Sequence, residues 1–108
     1  MAGMLGFLSR DMAMDLGTAN TLVYIKGKGV VLDQPSMIAI DQETGKVFAA
    51  GAEAKNLIGR HGRNIKILRP MRHGVIQDFD VATQLIRTFL DQVFRRIPLS
   101  RPKLVMAV

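Results

Sequence analysis

Asp15-Leu16-Gly17-Thr18-Ala19-Asn20-Thr21 is the stretch on which the reading of this chain turns. The run Met12–Leu16 enters it as a short strand. The β-branched and aromatic run Thr21–Lys26 leaves it as another, so the pattern is strand, tight turn, strand. Gly17 lets the backbone come close to a bound group. Consecutive N–H groups in such a turn form an anion-binding concavity. Thr18, Asn20 and Thr21 add short polar side chains that can donate to phosphate oxygens. Asp15 cannot touch a phosphate directly, because like charges repel. It can act through Mg²⁺ and its waters, since Mg²⁺ keeps much of its hydration shell. An ordinary β-hairpin with polar turn residues fits the same spacing, and spacing alone leaves both readings open.

Around this stretch, residues 12–50 read as β structure. Gly27-Lys28-Gly29 is a hairpin turn, Val30–Leu32 continues after it, and Gln34-Pro35 interrupts. Ser36–Ile40 resumes as a strand, Gln42-Glu43-Thr44-Gly45 turns the chain again, and Lys46–Ala50 follows. Gly51–Ile58 reads as a short helix stopped by Gly59. Residues 60–74 form a basic connection around an extended piece, Ile65–Leu68. A clear amphipathic helix spans 80–97, with Ala82, Leu85, Ile86, Phe89, Leu90, Val93 and Ile97 on one face. Asp78 or Asp80 can cap its start, Arg95 and Arg96 suit the negative end of its dipole, and Pro98 ends it. Leu104–Val108 is an apolar strand with nothing after it. A strand that follows a helix normally feeds a further element, so the chain reads as the first part of a larger protein.

Its 108 residues allow one domain at most, and 48% apolar with 22% charged residues is ordinary globular usage. There is no cysteine, hence no disulfide framework and no thiolate metal site. The net charge of +6 is uneven: residues 1–50 carry 4 basic and 5 acidic side chains, residues 51–108 carry 11 and 4. A basic half points to an anionic partner. No apolar run approaches the roughly 18 residues that span a bilayer. Met1 to Leu8 lacks the basic n-region of a signal peptide, so a cytoplasmic location is expected.

Asp15–Thr21 resembles the first phosphate loop of the actin, sugar kinase and Hsp70 superfamily. The continuation narrows the resemblance. Leu22-Val23-Tyr24-Ile25-Lys26-Gly27-Lys28-Gly29, Glu53-Ala54-Lys55 and Arg69-Pro70-Met71-Arg72-His73-Gly74-Val75-Ile76-Gln77-Asp78-Phe79 closely resemble MreB, the bacterial actin family that governs rod shape. The family usually has an acidic residue where His73 stands and commonly glycine where Ala107 stands. Conventional actins place a lysine where Leu22 sits, so phosphate charge here would rest on the metal and on backbone N–H groups.

The resemblance implies an α/β fold, the N-terminal part of the actin/Hsp70-like ATPase fold, with a mixed sheet and flanking helices. Residues 11–108 would be a partial first domain, with a small subdomain over roughly 36–68. Gly17, Thr18, Ala19, Asn20 and Thr21 would contact the nucleotide, and Asp15 would meet Mg²⁺ through water. The intact protein would bind ATP and Mg²⁺, form filaments with itself at the inner membrane, and guide the cell-wall elongation machinery. No catalytic residue falls within this chain, because the second phosphate loop and the residues that orient the attacking water would lie beyond Val108.

Residues 1–10 carry a second signal. Met1, Met4, Leu5 and Leu8 recur at helical spacing with Phe7 beside them, and such a stripe can lie in a membrane interface. A frayed terminus, or a helix packed on its own domain, fits too. Burying these side chains yields about 1.5–2 kcal/mol each, against about 1–2 kcal/mol per ordered residue. One copy is marginal, and many copies on a filament would add. The resemblance favours a membrane role and extends it to Leu99, in the loop Pro98-Leu99-Ser100.

Arg60, Arg63, Lys66, Arg69 and Arg72, with His61 and His73, form an acid-free basic stretch. Nucleic-acid binding would bring stacking aromatics or a recognition helix, and neither lies between Arg60 and Arg72. A solvated surface or a subunit contact is the better reading, and the two His lack metal spacing. The rival classes are a small basic nucleic-acid-binding domain and a piece of an Hsp70-like or sugar-kinase ATPase. Steep salt dependence of nucleic-acid affinity would mark the first. The second shares the loop but not the Arg69–Phe79 block.

Overall fold

A computed structural model describes residues 12–96 and 104–107. Met1, Met4, Leu5, Phe7, Leu8, Ile97 and Leu99 lie outside the described residues. Among the described residues nine strands and two helices follow one another as β1 Met12–Leu16, β2 Asn20–Ile25, β3 Gly29–Pro35, β4 Ile38–Asp41, β5 Val47–Ala50, α1 Ala52–Asn56, β6 Ile65–Leu68, β7 Met71–Arg72, β8 Val75–Ile76, α2 Phe79–Arg96 and β9 Leu104–Ala107. Among the described residues the strands form three sheets: β3-β2-β1-β9, β5-β4-β6 and β7-β8. The pairing is antiparallel except for β1 with β9, which run parallel, Met12 opposite Leu104 and Asp15 opposite Ala107. No described helix is long and apolar enough to cross a membrane.

The alternation of β1 sorts its side chains by face. Met12, Met14 and Leu16 point to the core, opposite Ile25, Val23 and Thr21 on β2. Leu85, Phe89 and Val93 of α2 pack into the same cluster. Ile86 and Leu90 flank it half-buried, as expected of positions at the border of a helical stripe. Phe89 is fully buried, worth about 1.5–3 kcal/mol of transfer free energy. Asp78, rather than Asp80, caps the helix: its Oδ1 accepts the Val81 N–H at 3.1 Å.

The smaller sheet has its own core of Met37, Ala39, Ala49, Ala54 and Ile65. The three alanines allow the five-residue α1 to lie close to the strands. A helix that short does not hold itself. Its start is anchored from outside: the Gly51 N–H donates to the Met37 carbonyl at 2.8 Å, and Gln34 Oε1 accepts the Ala52 N–H at 2.8 Å.

Two expectations change. The break expected at Gln34-Pro35 falls just after it: β3 runs to Pro35, and β4 begins at Ile38 in the other sheet. Among the described residues β3 is a sheet edge, where a proline's missing donor is tolerated. Residues 60–74 are more than a connection, because Met71–Arg72 and Val75–Ile76 pair as a tight hairpin. Its two turn residues, His73 (φ 52) and Gly74 (φ 76), both lie in the left-handed region.

Gly51 has φ 65 and ψ −133, a conformation that residues with a side chain avoid, and a Cβ there would run into Gln34 Oε1 and Cβ. Gly51→Ala is expected to lower stability by about 1–3 kcal/mol. The check is a urea unfolding midpoint displaced downward with an unchanged slope.

Candidate functional site: the β1–β2 loop

The loop between β1 and β2 is shaped by a residue outside it. Ser36, at the crossing from β3 to β4, is fully buried and holds the loop at three points. Its N–H donates to the Ala19 carbonyl at 2.8 Å, and its hydroxyl donates to the Gly17 carbonyl at 2.6 Å. Its Oγ also lies 2.8 Å from Thr21 Oγ1. A serine hydroxyl has one proton, and Gly17 takes it, so the Thr21 hydroxyl is the donor to Ser36. In a trans peptide the C=O and the following N–H point in opposite directions. Drawing the Gly17 and Ala19 carbonyls onto Ser36 therefore turns the N–H groups of Thr18 and Asn20 to the opposite side. Thr18, Ala19 and Asn20 are exposed there. Amides aimed to one side of a turn can form an anion-binding concavity.

The remaining loop residues are braced individually. The Gly17 N–H closes the turn onto the Asn20 carbonyl at 3.1 Å. A Cβ at Gly17 would sit 2.6 Å from that carbonyl oxygen, so the turn itself demands glycine before any ligand arrives. Asn20 Nδ2 donates to Asp33 Oδ1 at 2.9 Å. Thr18 Oγ1 accepts the Gly74 N–H at 2.8 Å, which ties the loop to the β7–β8 hairpin and leaves the Thr18 hydroxyl proton free to donate outward. His73 matters here through its backbone. Only a few residue types besides glycine tolerate φ near 52, and His is one.

Thr18, Ala19 and Asn20 thus stand together at the exposed tip. Thr21 faces inward, fully buried on Ser36, so its hydroxyl braces the loop from below. Asp15 is half-buried on the face of β1 opposite the Met12–Met14–Leu16 core, beside Leu22 of β2. No group of three His, Asp or Glu suited to a metal exists among the described residues. A cation near this loop would meet Asp15, with Asp33 the other carboxylate beside the tip and already engaged by Asn20, a sparse donor set that fits a largely hydrated Mg²⁺. Ser36 went unnoticed in the sequence because its partners lie 15 and 19 residues away. The inward turn of Thr21 was visible in the alternation Thr21, Val23, Ile25.

Ser36→Ala would leave the Gly17 carbonyl and the Thr21 hydroxyl without their partner. The expected cost is about 1–3 kcal/mol. Denaturant unfolding measures it, and amide exchange at Thr18 to Asn20 should rise more than exchange in α2.

This loop geometry accompanies a sequence that matches known proteins over most of its length. Residues 9–108 match the model of the MreB/Mbl protein family. Over 98 residues the chain is 43% identical to the cell shape-determining protein Mbl of Bacillus cereus, covering 91% of this chain and 29% of that protein. Over 92 residues it is 47% identical to the cell shape-determining protein MreB of Pasteurella multocida, covering 82% of this chain and 26% of that protein. The chain thus spans less than a third of the length of these relatives. A crystal structure of MreB5 of Spiroplasma citri bound to AMPPNP superposes with a TM-score of 0.72 at 30% identity, covering 88% of this chain and 28% of that one. The mixed sheet with its packed helices is part of the actin-like ATPase fold, and the chain belongs to the MreB/Mbl family of cell shape-determining proteins.

Proposed function

We propose that this chain supplies the first phosphate-binding loop of a bacterial actin that binds ATP with Mg²⁺. The intact protein assembles into filaments at the inner face of the cytoplasmic membrane and directs the cell-wall elongation machinery. The observation that carries the reading is the loop pinned on Ser36, with its carbonyls drawn inward and Thr18, Ala19 and Asn20 exposed. The relative bound to AMPPNP supports a nucleotide as the anion. Thr18 and Asn20 offer amides to phosphate oxygens, Thr18 adds its free hydroxyl proton, and Asp15 holds a water of the metal's shell. Mg²⁺ supplies charge neutralisation at the phosphates that Leu22, an uncharged residue, does not.

Residues 11–108 form part of the first large domain in this reading, with roughly 36–68 as the small subdomain beside the cleft. An actin-type site also needs a second loop and an oriented water. One loop stabilises only part of the developing charge. The 108-residue chain alone is therefore expected to show no steady ATP turnover and at best weak nucleotide affinity. The test is an amide NMR titration of the chain with MgATP. Shifts should concentrate at Asp15 to Thr21 and at Gly74, and weaken in Asp15→Asn when Mg²⁺ is present. Shifts confined to Arg60 through Arg72 would transfer anion binding to the basic stretch and overturn the assignment, and ATP turnover lost in Asp15→Ala would show a complete site.

The membrane part of the proposal rests on Met1, Met4, Leu5, Phe7, Leu8 and Leu99. Replacing Leu5 and Phe7 by Ser removes much of the apolar stripe. Assembled protein carrying both changes should stay in the supernatant when liposomes are sedimented. Co-sedimentation equal to the unmodified protein would show that the anchor lies elsewhere.

A further inference from the structure

A recess of the described surface lies away from the phosphate loop. It is a cavity of about 860 Å³ beside β6, within the size range of ligand pockets. Its apolar lining is Met37, Ile58, Ile65, Ile67, Leu68 and Met71. Lys66, Arg69, Arg72 and His61 also line it, and no carboxylate does. The sequence alone reads these cations as a solvated surface or a subunit contact, and the structure sets them around an apolar floor.

The cavity follows a strand edge. Residues 65 to 69 all line it, although successive strand residues point to opposite faces. A cavity that meets both faces of a strand runs along its edge. β6 is the outer strand of β5-β4-β6, and among the described residues no strand pairs its other side. The Gln42 N–H donates to the Asn64 carbonyl at 2.7 Å, and the register continues through Asp41 opposite Ile65, Ile40 opposite Lys66 and Ala39 opposite Ile67. Antiparallel pairs alternate between bonded and non-bonded. Lys66 thus turns its main-chain groups to β4, and Ile67 turns its own to the free edge.

We infer that the free edge of β6 is a docking site for an extended, acidic protein segment with apolar residues at alternate positions. Such a segment adds a strand to the edge and bonds Ile67 through its main chain. Its apolar side chains fill the cavity, and its carboxylates meet Lys66, Arg69 and Arg72. Charge selects the occupant: the lining holds three permanent cations and no acid, so a neutral or basic strand gains nothing at the rim. A protein segment fits better than a membrane, because Met37, Ile65 and Met71 are buried at the floor and only Ile58 is exposed, whereas lipid insertion needs the apolar surface to protrude. Nucleic acid would need a stacking ring, and the lining has no Phe, Tyr or Trp. This inference does not depend on the nucleotide reading, since none of the residues involved belongs to the loop.

The experiment is fluorescence anisotropy of the 108-residue chain with a labelled peptide, Glu-Val-Glu-Leu-Glu-Ile-Glu. Three companions are used: the same residues with acids and apolars in separate blocks, the alternating peptide N-methylated at every second amide, and the alternating peptide with Lys for Glu. Saturable binding of the alternating peptide is expected, weaker by about tenfold or more in Lys66→Glu/Arg69→Glu and by a similar factor on N-methylation. Both residues are exposed, so the double variant should keep its circular dichroism spectrum. Absence of saturable binding, or equal binding of the block peptide, overturns the proposal. It is overturned as well if the unmodified chain leaves the peptide free yet holds phosphatidylglycerol vesicles or a single-stranded oligonucleotide that the double variant releases.

Discussion

A buried serine has three hydrogen-bonding capacities at its side chain and one more at its N–H, and burial makes each unfilled one costly. At Ser36 the loop fills three of the four, including both donors. The N–H takes the Ala19 carbonyl, the hydroxyl proton goes to the Gly17 carbonyl, and the oxygen receives the Thr21 proton. The loop cannot relax outward without stranding polar groups inside the protein. Its outward-facing amides follow from that constraint and do not require a ligand to set them. Ser36 is also where the chain leaves the larger sheet for the smaller one, so the same residue joins the two sheets and shapes the loop.

Strand β1 separates stability from chemistry by parity. Met12, Met14 and Leu16 lock the sheet to α2, while Asp15 lies on the opposite face, where its charge escapes the apolar core. A one-residue slip would exchange the two sets and place a carboxylate against Phe89. The core thereby holds Asp15 in register with the loop it adjoins. Asp15 and the loop amides face chemistry because Met14 and Leu16 cannot.

What could be read before the structure follows a physical divide. Local signals were legible: the 3.6-residue stripe from Ala82 to Val93, the paired glycines of Gly27-Lys28-Gly29, and the strand–turn–strand pattern at Asp15–Thr21. Signals made by distant partners were not. Ser36 carries no periodicity, and its partners appear only when β2 and β3 pair. The His73-Gly74 hairpin was hidden because His occupies a position where Asn or Asp would advertise the turn. The basic residues from Arg60 to Arg72 read as a solvated surface or a subunit contact, since nothing local shows that Ile65, Ile67 and Met71 line a recess beneath them. Gln34-Pro35 put the break about two residues early because a proline stops a central strand, and only the sheet order shows that β3 is an edge among the described residues.

The loop's dependence on distant partners also bears on when it forms. Its Gly17–Asn20 closure is local, but the bond to Ser36 spans 19 residues and the bond from Gly74 to Thr18 spans 56. Contacts of long sequence separation are made only after the intervening chain has paid its loop-closure entropy. The short hairpin of Met12–Leu16 with Asn20–Ile25 can therefore pair before the loop at its tip has its final shape. The outward turn of the Thr18 and Asn20 amides comes only once β3 delivers Ser36, and Thr18 is restrained only once the β7–β8 hairpin has closed. An anion-binding surface built this way is a product of tertiary structure. The same seven residues excised as a peptide would keep the turn signal and lose the surface.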